Sequence, residues 1–164
     1  MPVRDILLLG NPKLYEICEP VNEADLATID AVIQDLHDTM MNFRQKYGVG
    51  RAIAAPQIGV MKRVVYMHIE KPVVFINPIL NDKSRETMVL WDDCMSFPDL
   101  LVKVSRHKSC RIDYLDRQWS RQSMPLQGDL SELLQHECDH LDGVLAVSRA
   151  LDGQSFAFRG QGGK

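Results

Sequence analysis

The chain has 164 residues, of which 45% are hydrophobic and 25% are charged. These values are typical of a globular protein with one hydrophobic core. The formal net charge of −3 at pH 7 excludes a generally basic nucleic-acid-binding surface. No apolar run has the length of a membrane span, and we expect no signal peptide. A core of this size needs no cross-links, so the four cysteines predict free thiols and a cytoplasmic location.

The first predicted element is a long amphipathic helix from Asn22 to about Lys46, in which apolar residues recur at three- and four-residue spacing. Asn22 is a suitable N-cap, and Gly48 and Gly50 end the helix. The middle of the chain is rich in β-branched and aromatic residues, interrupted by Asn, Asp, Pro and Gly. It predicts six strands: Arg63–Ile69, Val73–Ile79, Thr87–Trp91, Val102–Ser105, Ser109–Leu115 and Trp119–Pro125.

A second helix is predicted from Asp129 to about Leu141, and Gly143 ends it. The order of a helix, several antiparallel strands and a helix predicts an α+β fold. We expect one catalytic domain over residues 1–150, with antiparallel sheets packed around the second helix. Residues 151–164 form a polar, Gly-rich tail that we expect to be poorly ordered.

The second predicted helix contains an H-E-x-x-H motif within Gln135–His140. Residues four apart share one face of a helix, so His136 and His140 can bind the same metal ion. Glu137 is placed to take the proton of a water on that ion. The short pattern also arises by chance, and a helix that merely carries two histidines is the simpler alternative. Two ligands alone do not complete such a site.

A third ligand is not available downstream, because no His follows His140 and no Glu follows Glu137. This disfavours the common zinc endopeptidases, and Asp142 adjoins the helix end and points elsewhere. Cys94 follows a predicted strand, and a thiolate there can join two helix histidines with one position left open. The more common role of a lone cysteine is that of a small buried hydrophobe, which we expect for Cys18, Cys110 and Cys138.

Three segments taken together resemble the three motifs of the peptide deformylase family, G-x-G-x-A-A-x-Q, E-G-C-L-S and Q-H-E-x-D-H. The segments are Gly48–Gln57, Asp92–Ser96 and Gln135–His140, in the family's order and at similar separations. The similarity spans nearly the whole chain. It implies a hydrolase that releases formate from N-formylmethionyl peptides, in N-terminal methionine processing during protein biosynthesis.

The resemblance also implies a role for each matching residue. Cys94, His136 and His140 correspond to the metal ligands, with Fe²⁺ expected in the cell and Zn²⁺, Ni²⁺ or Co²⁺ as alternatives. Glu137 corresponds to the general base and acid. The side chain of Gln57 and the backbone N–H of Met95 correspond to donors for the developing oxyanion.

The substrate-binding residues are less well defined by the sequence. The family's pocket for the methionine side chain is expected to be apolar, and we assign to it Gly50, Ile53 and Leu133. Gln57 has a simpler alternative, since a polar residue in a Pro-Gln-Ile-Gly turn is normally solvated.

Several features of the chain depart from the family pattern. Arg51–Ile53 lengthen the glycine motif by two residues, which can reshape the substrate cleft. Asp92-Asp93 replace E-G, and we expect Asp92 to pair with Arg106. Leu101 stands where the family often has an arginine that binds the peptide backbone, so peptide binding is expected to be weaker or altered. The short C-terminus makes ribosome association through the family's longer C-terminal helix doubtful.

These departures leave two alternatives open. One is a deformylase-like amidase that acts on another small N-acylated compound. The other is a non-catalytic metal-binding relative that interacts with a partner. The only partner that we expect is a formylated peptide substrate, with neither nucleic acid nor membrane.

Overall fold

The computed structural model describes residues 3–161. It contains two α-helices, α1 (Leu26–Tyr47) and α2 (Asp129–Leu141). The eight strands are β1 (Ala52–Ala54), β2 (Val64–His68), β3 (Pro72–Asn81), β4 (Thr87–Asp92), β5 (Leu100–His107), β6 (Ser109–Leu115), β7 (Arg121–Gln127) and β8 (Phe156–Phe158). Within this part of the chain, no helix combines the length and the apolarity that a membrane span requires.

The strands form two sheets in which every strand pair is antiparallel. The larger sheet has the order β1-β2-β3-β6-β7, and the smaller sheet has the order β4-β5-β8. Helix α2 contacts β1, β3 and β7 of the larger sheet and β5 of the smaller sheet. It therefore lies between the two sheets. The predicted α+β fold, with antiparallel sheets packed around the second helix, is confirmed.

Helix α1 covers one side of the larger sheet with the apolar face that its sequence predicts. Ile29, Ile33, Leu36 and Met40 are buried in one core cluster with residues of β1 and β2. A 3₁₀ turn over Glu23–Asp25 precedes the helix. Gly48 ends it with a φ of 74°, and its N–H donates to the carbonyl of Arg44, which is the left-handed end that glycine favours.

A second core cluster fixes α2 on the opposite face of the larger sheet. Leu134 and Leu141 of the helix pack with Phe75 of β3 and Ile112 of β6, and all four side chains are fully buried. Burial of one such side chain stabilises the fold by about 1.5–3 kcal/mol. The orientation of the α2 face that carries His136 and His140 therefore depends on the packing of its other face.

Two strands were not predicted, because three-residue strands are too short to show alternation. One of them, β8, pairs with β5, and the expectation of a poorly ordered tail is wrong for residues 151–161. The boundary at residue 150 between the catalytic domain and the tail stays a prediction.

Strand β7 begins at Arg121 rather than at Trp119, since Trp119 has a φ of 61° and lies in a turn. The carboxylate of Asp116 accepts hydrogen bonds from two backbone N–H groups in that turn.

Gly143, the second residue after α2, has no space for a side chain. Gly143 has a φ of 72°, and a Cβ atom there would lie 2.4 Å from the carbonyl oxygen of Tyr15. Two interactions hold this end of the helix, because the carbonyl of Leu141 accepts from the backbone N–H of Cys18 at 2.9 Å and from Arg63 Nη1 at 3.0 Å.

We therefore expect Gly143→Ala to destabilise the protein by about 3 kcal/mol, through the left-handed backbone and the clash with Tyr15. Urea unfolding measures the free energy of unfolding. Gly153→Ala is the matched control, because nothing lies within 4 Å of a Cβ atom at that position. Equal unfolding free energies for the two variants would contradict this description of the α2 terminus.

Candidate metal centre

Three buried side chains converge at the surface of α2 that faces the smaller sheet. Ligand atoms of Cys94, His136 and His140 all lie within 4.8 Å of one another, and Cys94 Sγ is 3.3 Å from His140 Nε2. The residues are 7%, 5% and 1% exposed. One thiolate and two imidazoles at this spacing form a donor set suited to a single divalent transition metal, with positions left for water or substrate.

Helix α2 and the end of β4 bring these ligands together. The two histidines lie one turn apart, with ring centroids separated by 5.0 Å. Gln135 connects the helix to the end of β5, since its Oε1 accepts from the backbone N–H of His107 and its Nε2 donates to the carbonyl of the same residue. Cys94 is the second residue after β4 and lies in a turn where Phe97 N–H donates to the carbonyl of Cys94.

Asp92 orients the first histidine. Its Oδ2 lies 3.0 Å from His136 Nδ1, which leaves Nε2 as the ring nitrogen available to a metal. Arg106 Nη2 donates to Asp92 at 2.9 Å, and its Nη1 donates to Asp139 Oδ2 at 2.6 Å. The predicted pairing of Asp92 with Arg106 is confirmed.

The charges in this network set its protonation. Burial raises the pKa of Asp92, but His136 and Arg106 lower it more, so that the pKa lies well below its usual range. Burial alone would lower the pKa of His136, and the charges of Asp92 and Cys94 raise it well above its usual range. For His140, burial and then the charge of His136 lower the pKa well below the usual range. Asp92 is consequently a carboxylate at neutral pH.

Glu137 is a buried carboxyl group at the edge of the same site. Only 3% of the residue is exposed, and its Oε2 has no hydrogen-bond partner among the residues that the structure describes. Burial raises the pKa of Glu137 to about 7. A carboxyl group with such a pKa can accept a proton and donate it again near neutral pH.

Gln57 and Met95 are both neighbours of Cys94. Gln57 is 1% exposed. Its Oε1 accepts from Ala54 N–H at 3.0 Å, and its Nε2 lies 3.5 Å from Cys94 Sγ and 3.2 Å from Ser96 Oγ. The alternative of a solvated loop residue is therefore wrong. The backbone N–H of Met95 donates to no acceptor within the described chain.

A cavity of about 630 Å³ opens beside these groups. Its lining includes Cys94, Met95, His136 and Glu137, so the cavity reaches two of the three candidate metal ligands directly, Cys94 and His136. Further residues of α2 that line it are Asp129, Glu132 and Leu133.

The structure distinguishes the three residues assigned to substrate binding. Gly50 and Leu133 line the cavity, but Ile53 does not: it is fully buried in the core cluster beneath α1. The strand character of β1 explains this, because alternate side chains of a strand point to opposite faces. Gly50 has a φ of 133°, and a Cβ atom there would lie 3.0 Å from the end of the Met95 side chain.

Comparisons with known proteins agree with this geometry. The family model described as polypeptide deformylase matches residues 3–155. The chain is 36% identical to peptide deformylase 1 of Prochlorococcus marinus (strain MIT 9313), over 98% of this chain and 88% of that protein. The chain belongs to the peptide deformylase family.

Solved structures of the family have the same fold. The crystal structure of peptide deformylase from Thermotoga maritima superposes with a TM-score of 0.84 at 31% identity, covering 93% of this chain and 99% of that chain. A class I type b peptide deformylase from Acinetobacter baumannii, with Met-Ala-Ser bound, gives a TM-score of 0.82 at 29% identity and covers 90% and 98% of the two chains.

The structure shows the positions of two of the departures from the deformylase pattern. The Arg51–Ile53 segment does not form a projecting loop, because β1 pairs with β2 from Ala52 onwards. Leu101 is fully buried in β5 and does not line the cavity. Arg159, which follows β8 and donates to Asp93 Oδ2 at 3.2 Å, is one of the cationic residues that line the cavity.

Glu132 and Arg159, two of the charged residues that line the cavity, have no assigned role in the sequence prediction, and Arg51 appears there only as part of the lengthened glycine segment. The sequence does place Glu132 on the same helix face as His136, because the two residues are four apart. Arg159 lies 66 residues from Asp93 along the chain, and no local pattern connects them.

We expect Asp92→Asn to lower the affinity for the bound metal by about 10–100-fold, because the neutral amide orients His136 less strongly and leaves Arg106 with less compensating charge. Titration against a chelator of known affinity measures the change. Asp113→Asn is the control, since Asp113 pairs with Arg111 away from the cavity. Unchanged metal affinity in Asp92→Asn would show that Asp92 does not support the metal centre.

Proposed function

We propose that this peptide deformylase family member uses Cys94, His136 and His140 to hold one divalent metal ion, and Glu137 to transfer protons, in the hydrolysis of N-formylmethionyl peptides to formate and a free amino terminus. The observation that carries the proposal is the convergence of the three ligand atoms within 4.8 Å beside an unpartnered oxygen of Glu137. All four side chains are buried, and those of Cys94, His136 and Glu137 line the cavity.

We propose Fe²⁺ as the ion in the cell, with Zn²⁺, Ni²⁺ or Co²⁺ able to replace it. The mixed sulfur and nitrogen donors fit each of these ions, and availability decides among them as much as affinity. When bound, the metal supplies Lewis acidity, which polarises the formyl carbonyl and makes a water molecule nucleophilic near neutral pH. The buried free thiols of the chain support a cytoplasmic location, where thiols remain reduced.

Glu137 moves the proton that the reaction requires. Its carboxylate takes a proton from the attacking water as the water oxygen bonds to the formyl carbon. When the carbon–nitrogen bond breaks, the same carboxyl group gives the proton to the leaving amine. Burial raises the pKa of Glu137 to about 7, which suits both halves of this cycle.

Two hydrogen-bond donors stabilise the oxygen of the formyl group as negative charge develops on it. They are the backbone N–H of Met95 and the side-chain amide of Gln57, which flank Cys94. Both donors are held before substrate arrives. The N-terminal segment holds the backbone at both donors. Leu7 N–H donates to the carbonyl of Gln57, and Leu9 N–H donates to the carbonyl of Ser96, the residue after Met95. Backbones fixed in this way keep the reorganisation small. Met95 N–H donates to no acceptor within the described chain, and Gln57 Nε2 exchanges one of its two contacts, to Cys94 Sγ or Ser96 Oγ, for the formyl oxygen.

The first test is formate release from formyl-Met-Ala-Ser by protein that is loaded with Fe²⁺ under anaerobic conditions, which protect the thiolate from oxidation. We expect a chelator to abolish release. Glu137→Gln should keep the metal and lower kcat/KM by about 10²–10⁴-fold, because the amide cannot transfer the proton.

Cys94→Ser tests the ligand role separately and should lose the metal together with the activity. Cys110→Ser is its matched control, because Cys110 is another buried thiol that lies outside the cavity, and it should retain both. Normal turnover by Glu137→Gln or by Cys94→Ser would refute the proposed mechanism.

Gln57→Leu should lower kcat by about 10²–10³-fold with metal content unchanged, since one oxyanion donor is lost. Steady-state kinetics on formyl-Met-Ala-Ser, together with metal analysis, provide the measurement. Gln34→Leu is a control of the same chemistry on α1, where the exposed Gln34 donates to Asp38 Oδ1 outside the cavity. A rise in KM alone would assign Gln57 to substrate binding instead.

A further inference from the structure

The cavity wall next to the candidate metal centre is charged. Glu132 lies one turn before His136 on α2, which corresponds to a rise of about 6 Å along the helix axis. Both side chains line the cavity. Glu132 is buried, with only 10% of its side chain exposed.

The partner of Glu132 comes from the glycine segment before β1. Arg51 Nη2 donates to Glu132 Oε1 at 2.8 Å. The Arg51 side chain is 39% exposed and lines the same cavity. Within the described residues, Arg51 donates to no other acceptor. Its remaining N–H groups are therefore available to a molecule in the cavity.

The Arg51–Glu132 pair lies where the first side chain of a bound substrate would reach it. A formyl group at Cys94, His136 and Glu137 places the attached amino acid beside the same stretch of α2. The end of a side chain of methionine length lies several bonds from the formyl nitrogen, a span comparable to one helical turn. The Arg51–Glu132 pair is thus within reach of that end.

The thioether side chain of methionine is poorly matched to a cavity wall that is formed by the charged Arg51–Glu132 pair. Covering the pair with an apolar group removes water from charged atoms without replacing its hydrogen bonds, which is unfavourable. A cationic side chain would be repelled by Arg51, and an anionic side chain would be repelled by Glu132 and Asp129. A neutral amide avoids both, because its oxygen can accept from Arg51 and its NH₂ group can donate to Glu132.

We propose that this cavity accepts N-formylated peptides whose first side chain ends in a neutral hydrogen-bonding group, with the amide of glutamine as the probe, at least as efficiently as N-formylmethionyl peptides. Arg51 and Glu132 are the specificity-determining residues. This inference rests on the deformylase activity proposed above and extends it to a further class of substrate.

The test compares formate release from formyl-Gln-Ala-Ser and formyl-Met-Ala-Ser by the metal-loaded full chain. Formyl-Lys-Ala-Ser and formyl-Glu-Ala-Ser provide the charged comparisons. We expect the ratio of kcat/KM for the glutamine peptide to that for the methionine peptide to be 1 or greater, and both charged peptides to be slower. A preference of tenfold or more for methionine would overturn the proposal.

Replacement of both charges at once tests the assignment to the pair, because neither charge is then left buried without its partner. Arg51→Leu combined with Glu132→Leu should lower the glutamine-to-methionine ratio at least tenfold, chiefly through faster turnover of the methionine peptide. The control is Arg117→Leu combined with Asp30→Leu, which removes an exposed pair with a 3.0 Å separation and should leave the ratio unchanged. An unchanged ratio in the Arg51/Glu132 variant would overturn the assignment.

The measurements on the unmodified chain decide the preference even if the double variant does not fold. Formate release with a strong methionine preference contradicts this inference alone. No release from any of the four peptides by metal-loaded protein contradicts the proposed function, and this inference with it.

Discussion

The candidate metal centre depends on the ion pairs of the buried Arg106 guanidinium. This guanidinium extends from β5 to two carboxylates, Asp92 at the end of β4 and Asp139 on α2. Only 2% of its side chain is exposed, and an unpaired charge at such a position is strongly destabilising. The ion pairs therefore hold the smaller sheet and the helix in one relative position. Asp92 also bonds His136, so the same contact fixes the orientation of a metal ligand.

The remaining parts of the site come from different regions of the fold. Gln57 follows β1 of the larger sheet, Cys94 follows β4 of the smaller sheet, and the histidines lie on the helix between them. The N-terminal segment connects the first two regions through backbone hydrogen bonds to Gln57 and Ser96. No single element contains a complete site. The catalytic geometry is a product of packing between the sheets, and its rigidity comes from burial of nearly every participating side chain.

Local features of this architecture could be predicted from the sequence, and features that depend on distant contacts could not. The bounds of α2 and of β6 agree with the prediction, because caps, periodicity and turn residues specify them. The spacing of His136 and His140 is likewise a local property of a helix. Ile53 was misassigned because the face to which a strand residue points depends on the register of β1 against β2. Strand β8 forms only through pairing with β5, and its own sequence shows no strand pattern.

The two roles that we propose for α2 depend on different partners, so that one can change without the other. The candidate metal ligands rely on Asp92, Arg106 and the turn that carries Cys94, which follows a strand of the smaller sheet. Glu132 shares the helix face of His136 but pairs with Arg51, which lies 81 residues away along the chain and before the larger sheet. A substitution at either member of that pair alters the cavity wall without a contact to Asp92 or Cys94. The proposed metal ligands and the proposed specificity pair thus depend on separate contacts, although one helix of 13 residues carries members of both.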